Sequence, residues 1–162
     1  MITQERLHEV ISYDKDTGHF TWLKSGRGVR PGRRAGSIDI RGYEHVRVEG
    51  ITYKAHRLAW LYAHGCLPEG QIDHINGICS DNRLCNLRLA TNAQNQRNRP
   101  LFRNSSTGVK GVSWNKGRGR YEAYIKVDGK RKHLGLFDCV EEAACAYRKA
   151  AEEFHGDYAR FS

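Results

Sequence analysis

The sequence predicts an α+β protein made of two small lobes, and three observations predict it. Hydrophobic residues make up 39% of the 162 positions against 28% charged, a lean balance that suits two small cores better than one thick one. Residues 100–108, "PLFRNSSTG", read as a linker of turn-forming residues. Beyond them the pattern changes to three short strand candidates followed by one amphipathic helix.

From the start, Leu7, Val10 and Ile11 after Thr3 suggest a weak amphipathic helix over residues 3–11. "KDTG" is a turn signal, and "HFTWL" at 19–23 reads as a strand. Residues 24–36, "KSGRGVRPGRRAG", form a basic glycine-rich loop. "SIDI" and "EHVRV" read as a hairpin around "RGY". After "EGI", the stretch "TYKAHRLAWLYAHG" carries Ala55, Leu58, Ala59, Leu61 and Tyr62, which favour a helix ending at Gly65. His56 and His64 are expected to pack in or at the end of that helix. In the second lobe "GVSWNK", "RYEAYIKV" and "KHLGLF" are the strands, with Asp128-Gly129 as a hairpin turn between the last two. "DCVEEAACAYRKAAEEFHG" follows as a helix, with Asp138 and Glu141 as a capping box and Gly156 as its stop. Ala143, Ala146, Tyr147, Ala150 and Phe154 form its apolar stripe.

The formal charge of +9 predicts an anionic partner. No apolar run approaches the ~18 residues of a membrane span, and "MITQERLHEVISYDKD" lacks a signal-peptide apolar block. The chain is therefore expected to work in the cytoplasm where it is made, without a membrane partner. Its five cysteines are odd in number and include no CxxC, which argues against a disulfide framework. Cys79 and Cys85 are too far apart for the usual zinc-ligand pair.

The stretch "IDHINGICSDNRLCNLRLATNAQNQ" is poor in core residues and rich in groups that need partners. Asp73, His74, Asn86 and Asn95 hold the parts that phosphodiester hydrolysis needs. A neutral imidazole can take a proton from water, and oxygen donors can hold a hard cation. Thr91 and Gln94 form a capping box, so a helix is expected to start near residue 92 with Asn95 in its early turns. As neighbours on an extended segment, Asp73 and His74 point to opposite sides.

These residues, with the lead-in "GYEHVRVEGITYKAHRLAWLYAHG", resemble an HNH nuclease of the phage and intron homing-endonuclease type. The resemblance spans roughly residues 13–99 and implies a ββα-metal fold, centred on about residues 70–99 of a domain at 1–99. It implies His74 as general base and Asn86 as the residue that braces the loop and helps orient it. Asp73 and Asn95 are implied as ligands of a divalent ion, Mg²⁺ or Mn²⁺. A phage-encoded protein of this kind would act in the host cytoplasm.

Charge in the second lobe is segregated. Residues 101–132 hold nine Lys and Arg against Glu122 and Asp128, a balance of +7, whereas residues 133–162 sum to −3. Along "RYEAYIKV", Tyr121, Ala123, Ile125 and Val127 share one face, which the helix can cover. Glu122, Tyr124 and Lys126 share the other, which stays open and could enter a DNA groove. "GVKGVSWNK", "YEAYIKVDGK", "HLGLFD" and "EEAACAYRKAAEEFHG" resemble an AP2 DNA-binding domain, here residues 109–162. In that family Arg and Trp side chains on the sheet contact DNA. Ser113 stands where plant members often have Arg, and Trp114 could face either DNA or the core. The expected DNA contacts are Arg97, Arg99, Lys116, Arg118, Arg120, Tyr124, Lys126, Arg131 and Lys132.

Together these features predict a metal-dependent, site-directed endonuclease acting as a monomer on double-stranded DNA. The rival is a non-catalytic DNA-binding regulator that retains the HNH fold; a zinc-stabilised interaction module is a further alternative.

Overall fold

A computed structural model describes residues 1–26, 28–99, 101 and 105–161. Pro100, Phe102, Arg103 and Asn104 of the expected linker lie outside the described residues, as do Arg27 of the glycine-rich loop and Ser162. The chain divides into two compact units, Met1–Thr91 and Asn92–Ser162. The division precedes residue 99, the expected end of the first lobe, because residues 97–99 are tied to the second unit. Lys110 Nζ donates to the carbonyls of Arg97 and Arg99 at 2.5 and 2.9 Å, and Arg160 donates to that of Asn98.

In the first unit, the Thr3 hydroxyl accepts from the Arg6 amide and caps α1 (Gln4–Val10). The helix passes directly into β1 (Ile11–Tyr13), which pairs with β2 (Phe20–Trp22), and β2 with β3 (Arg34–Ala35). Sequence pattern did not reveal β1, whose three residues are too few to display an alternation. A second antiparallel sheet holds β4 (Ser37–Ile38), β5 (Glu44–Val48) and β6 (Ile51–Lys54). The strand β6 corrects the reading of "TYK" as part of the following helix. Glu49 and Gly50 both take positive φ, 49° and 83°, and make a two-residue hairpin turn that sends Ile51 back beside Val48. The helix α2 then spans Ala55–His64 and ends at Gly65 as expected. Finally β7 (Gln71–His74) pairs antiparallel with β8 (Leu87–Ala90). Leu7, Ile11, Phe20, Val46 and Leu58 centre the core, and Ile72 and Leu87 join it from the hairpin. The β7–β8 pair is thus anchored by apolar residues adjoining its polar ones.

The second unit starts with α3 (Asn92–Arg97), at the position expected from the Thr91–Gln94 pattern. Three antiparallel strands, β9 (Val112–Asn115), β10 (Arg120–Val127) and β11 (Lys130–Phe137), lie in the order β11-β10-β9. The helix α4 (Val140–His155) covers one sheet face, burying Ala143, Tyr147, Ala150 and Ala151 against Val112, Ala123 and Ile125. Its cap differs from the expected Asp138–Glu141 box. Cys139 is the N-cap, its Sγ accepting from the Glu142 amide, while Asp138 pairs with Arg120 at 2.9 Å. The arginine draws the carboxylate away from the helix end. Among the described residues no helix is long and apolar enough to cross a membrane.

Candidate functional site

The residues between β7 and β8 form a lattice of side-chain amides. Asn86 Oδ1 accepts from the Asn76 amide at 3.0 Å. Its Nδ2 donates to Asn76 Oδ1 at 3.0 Å and to the Asp81 carbonyl at 2.8 Å. Asn76 Nδ2 donates in turn to Asp81 Oδ2 at 2.7 Å, and Asp81 pairs with Arg83 at 2.6 Å. That arginine holds the Asp81 carboxyl down at about 2. The polar residues thus fold the loop against itself, where a segment of this composition has no core to bury.

The N-terminal strands grip the same loop from outside. The Tyr13 hydroxyl donates to the Asn82 carbonyl at 2.7 Å, and the Leu84 amide donates to the Lys15 carbonyl at 3.0 Å. Gly18, at φ +74°, lies so close that a Cβ there would meet the Arg83 amide nitrogen at 2.5 Å. Only glycine permits that approach.

His74 ends β7 and is buried. Its Nε2 lies 3.4 Å from Asn82 Oδ1. The His56 ring stands edge-on to it at a centroid distance of 5.0 Å, and Tyr43 flanks both rings. Burial lowers the pKa of His74, opposed by the bond to Asn82 and the charge of Asp73. Burial, with the His74 and Lys54 charges adding, brings His56 down to about 3. Both rings are therefore neutral near pH 7, the state a proton acceptor requires.

Asp73 precedes His74 on β7 and is also buried. It faces Arg88 across the hairpin, whose Nε donates to its Oδ2 at 2.9 Å. Asp73, His74 and Asn86 thus all belong to the first unit, while Asn95, Arg97 and Arg99 belong to the second. Asn95 and Arg97 are half-buried and Arg99 is exposed. Arg97 pairs with Asp128 at 3.3 Å. Among the described residues no three of His, Cys, Asp and Glu gather as a metal-binding group.

The sheet of the second unit sorts the expected DNA contacts. Lys126 and Arg131 are cross-strand partners and both are exposed. The Arg131 guanidinium stacks over the Tyr124 ring at 3.5 Å, a geometry that stiffens a long side chain. Arg120 pairs with Asp138, and Lys116 and Arg118 are exposed in the β9–β10 connection. Lys132 is the cross-strand partner of buried Ile125, and its ammonium lies over the Phe154 ring of α4 at 4.1 Å. It therefore belongs to the helix-covered side. Trp114 shares the side of Val112 yet is 45% exposed, stacked edge-on to Tyr121 at 4.8 Å.

A model of the HNH endonuclease family matches residues 53–97, from the end of β6 through α3. Protein 3.8 of Escherichia phage T7 is 37% identical over 113 residues, covering 67% of this chain and 93% of that protein. The chain belongs to the HNH endonuclease family. An AP2 domain model matches residues 107–157 of this HNH chain, so the expected pairing of the two families is borne out. An uncharacterized HNH endonuclease of Acanthamoeba polyphaga mimivirus is 33% identical over 106 residues, which are 64% of this chain and 54% of that one. The solved structure of the HNH homing endonuclease I-HmuI covers 90% of the chain and 85% of its own, with a TM-score of 0.44 and 20% identity.

Three residues around His74 in this HNH chain escape a reading by motif: Glu44, His56 and Asn82. His56 gave a faint signal, being a histidine on the same helix stripe as Ala55, Leu58 and Ala59, all buried. Its Nδ1 has no hydrogen-bond partner among the described residues.

Proposed function

We propose that the chain is a divalent-metal-dependent DNA endonuclease of the homing type, which hydrolyses a phosphodiester bond and nicks or cuts double-stranded DNA. The observation that carries this reading is a buried, neutral His74 beside Asp73 within the segment matching the HNH endonuclease family. His74 takes the proton of the attacking water. Asn86 holds the loop that frames it. Asp73 and Asn95 are the residues that would hold the cation. Their carboxylate and amide oxygens would suit a hard ion, Mg²⁺ or Mn²⁺, and Arg88 balances the Asp73 charge in the structure. When bound, the ion supplies stabilisation of the charge that develops on the leaving 3′-oxygen. The expected products are a 5′-phosphate and a 3′-hydroxyl.

Residues 1–99 supply the chemistry in this reading, 100–108 link, and 109–162 bind DNA, with the whole acting as a monomer in the cytoplasm. The open face around Lys126 and Arg131, the connection holding Lys116 and Arg118, Arg120, Tyr124, and Arg97 and Arg99 make up the basic surface for DNA. Lys132 contributes only from the edge. The AP2 domain match supports DNA as the partner.

Incubation with supercoiled plasmid and Mg²⁺ or Mn²⁺ tests the reading. Relaxed or linear product is expected with metal and none with EDTA. His74→Ala should cut roughly 10²-fold more slowly, the scale of general-base removal, with DNA affinity unchanged. Plasmid that is bound but left intact with either metal overturns the reading in favour of a non-catalytic DNA-binding regulator.

A further inference from the structure

We propose that Glu44 and Asn82 are positioning residues that decide which nitrogen of His74 carries the proton, keeping it on Nε2 and leaving Nδ1 as the basic nitrogen. The catalytic consequence rests on the nuclease reading above; the positioning itself rests on the geometry alone.

The geometry begins at Glu44, the first residue of β5, which is 3% exposed. Its Oε1 accepts from Arg34 Nη2 at 3.1 Å, and its Oε2 from Asn82 Nδ2 at 2.9 Å. A carboxylate between two donors can only accept. The amide of Asn82 must therefore turn its NH₂ toward Glu44. The Ser80 carbonyl, 3.3 Å from the same nitrogen, is a longer contact that favours the same orientation, which the 2.9 Å bond to Glu44 fixes. With its nitrogen committed, Asn82 can present only Oδ1 to His74 Nε2. An amide oxygen accepts only, so Nε2 must be the nitrogen that bears hydrogen. The proton's location on the imidazole thus follows from a charge two residues removed.

The chain of bonds is well placed to hold that choice. Asn82 is 1% exposed, so water does not compete for either end of its amide. Its backbone is fixed by the Tyr13 hydroxyl and by the close approach of Gly18. A histidine whose neutral forms interconvert freely offers the substrate a mixture of a basic and a hydrogen-bearing nitrogen. One locked by a directional acceptor offers the basic nitrogen alone.

The test uses the full-length, metal-free protein labelled with ¹⁵N. Long-range ¹H–¹⁵N correlations at about pH 8, above the ordinary histidine range, report the tautomer of each ring. His74→Gln assigns the relevant signals. The wild type should hold His74 as the Nε2–H tautomer. Asn82→Ala should give a mixture. Glu44→Gln should too, since the side-chain amide it introduces can donate and lets the amide of Asn82 turn over. Should Asn82→Ala fail to fold, the near-isosteric Glu44→Gln carries the test. The double variant Glu44→Gln with Asn82→Asp reverses the polarity of the central bond while leaving an acceptor on Nε2. It should restore the Nε2–H form. On plasmid, Glu44→Gln should lower kcat in proportion to the share of His74 that leaves the Nε2–H form, about twofold for an even mixture, at unchanged KM, because only one tautomer presents the basic nitrogen. An Nδ1–H tautomer in the wild type, or unchanged tautomers in both single variants, or a folded double variant without restoration, each overturns the positioning. Expected tautomers in a protein that never cuts DNA would overturn the nuclease reading instead.

Discussion

The His56 ring stands edge-on to the His74 ring, 5.0 Å between centroids, and both are buried beside the loop that joins β7 to β8. Two imidazoles at this spacing cannot both take protons cheaply, and burial opposes even the first.

Stability should therefore fall on mild acidification. The folded pKa of His56 is depressed to about 3 from an ordinary 6.5, so the unfolded chain binds a proton first as pH drops. The stability from keeping this ring neutral is full above pH 6.5 and is lost progressively down to about pH 3. The slope is about 1.4 kcal/mol per pH unit for one such group. His74 is shifted in the same direction and adds to the fall. Urea unfolding midpoints between about pH 7.5 and about pH 4.5, which bracket the ordinary histidine range, measure it. His56→Phe should flatten the curve by one proton's slope; an unaltered curve would mean that His56 is not the group being charged.

Asn86→Ala should unfasten the loop. Three hydrogen bonds end on this side chain, two of them to backbone groups of Asn76 and Asp81. Leaving partly buried partners unmade costs about 1–3 kcal/mol, or roughly 2–10 °C in Tm for a chain of this size. Hydrogen exchange should rise at the Asn76 amide while the amides of β10 keep their protection. A Tm shift with no local change in exchange would show that Asn86 acts on global packing, not on the loop.

What could be read from the sequence and what could not divide along distance in the chain. The Asp128-Gly129 turn, the stop at Gly156 and the alternation of Ala123 and Ile125 are legible because backbone sterics and burial act over a few residues. Asp73, His74 and Asn86 stand out in the sequence as a motif because they fall within one short polar segment, although the carboxylate of Asp73 pairs with Arg88. Glu44 does not, since its partner Asn82 lies 38 positions on and only folding joins them. Lys132 reads like Lys126, two cations on one basic stretch, until the register of β10 and β11 turns it toward Phe154. The cap of α4 fails for a related reason. A local pattern favours Asp138, but a distant arginine competes for the same carboxylate.

Asp73→Ala should cost stability as well as metal-dependent cleavage. It removes the counter-charge of the Arg88 guanidinium, which is only 17% exposed. Breaking such a pair costs about 3 kcal/mol, whereas replacing both partners with apolar side chains is often neutral. Adding Arg88→Met should thus recover most of the Tm lost in Asp73→Ala. Cleavage should stay lost, and raised Mg²⁺ or Mn²⁺ should restore little of it. If cleavage returns with the Tm, Asp73 serves only as the partner of Arg88 and is not a cation ligand.

The basic surface should divide by face. Lys126 and Arg131 are neighbours on the open side of the sheet, and Tyr124 holds the arginine in place. Lys132 lies over Phe154 on the covered side, and Glu152 sits on the exposed, acidic side of α4. Each phosphate contact removed lowers the slope of log K against log salt by about 0.9. Lys126→Ala and Arg131→Ala should each weaken DNA binding and flatten that slope by about one such step. Tyr124→Leu should weaken binding without altering the slope, since it frees the Arg131 side chain but keeps its charge. Lys132→Ala should do less than either substitution on the open face, and Glu152→Ala should not weaken binding. Titrations of fluorescent duplex at several salt concentrations read all of these variants. Equal losses at Lys126 and Lys132 would mean that DNA senses only the net charge of the domain. The open face would then be an ordinary solvated surface, and recognition would have to come from elsewhere in the chain.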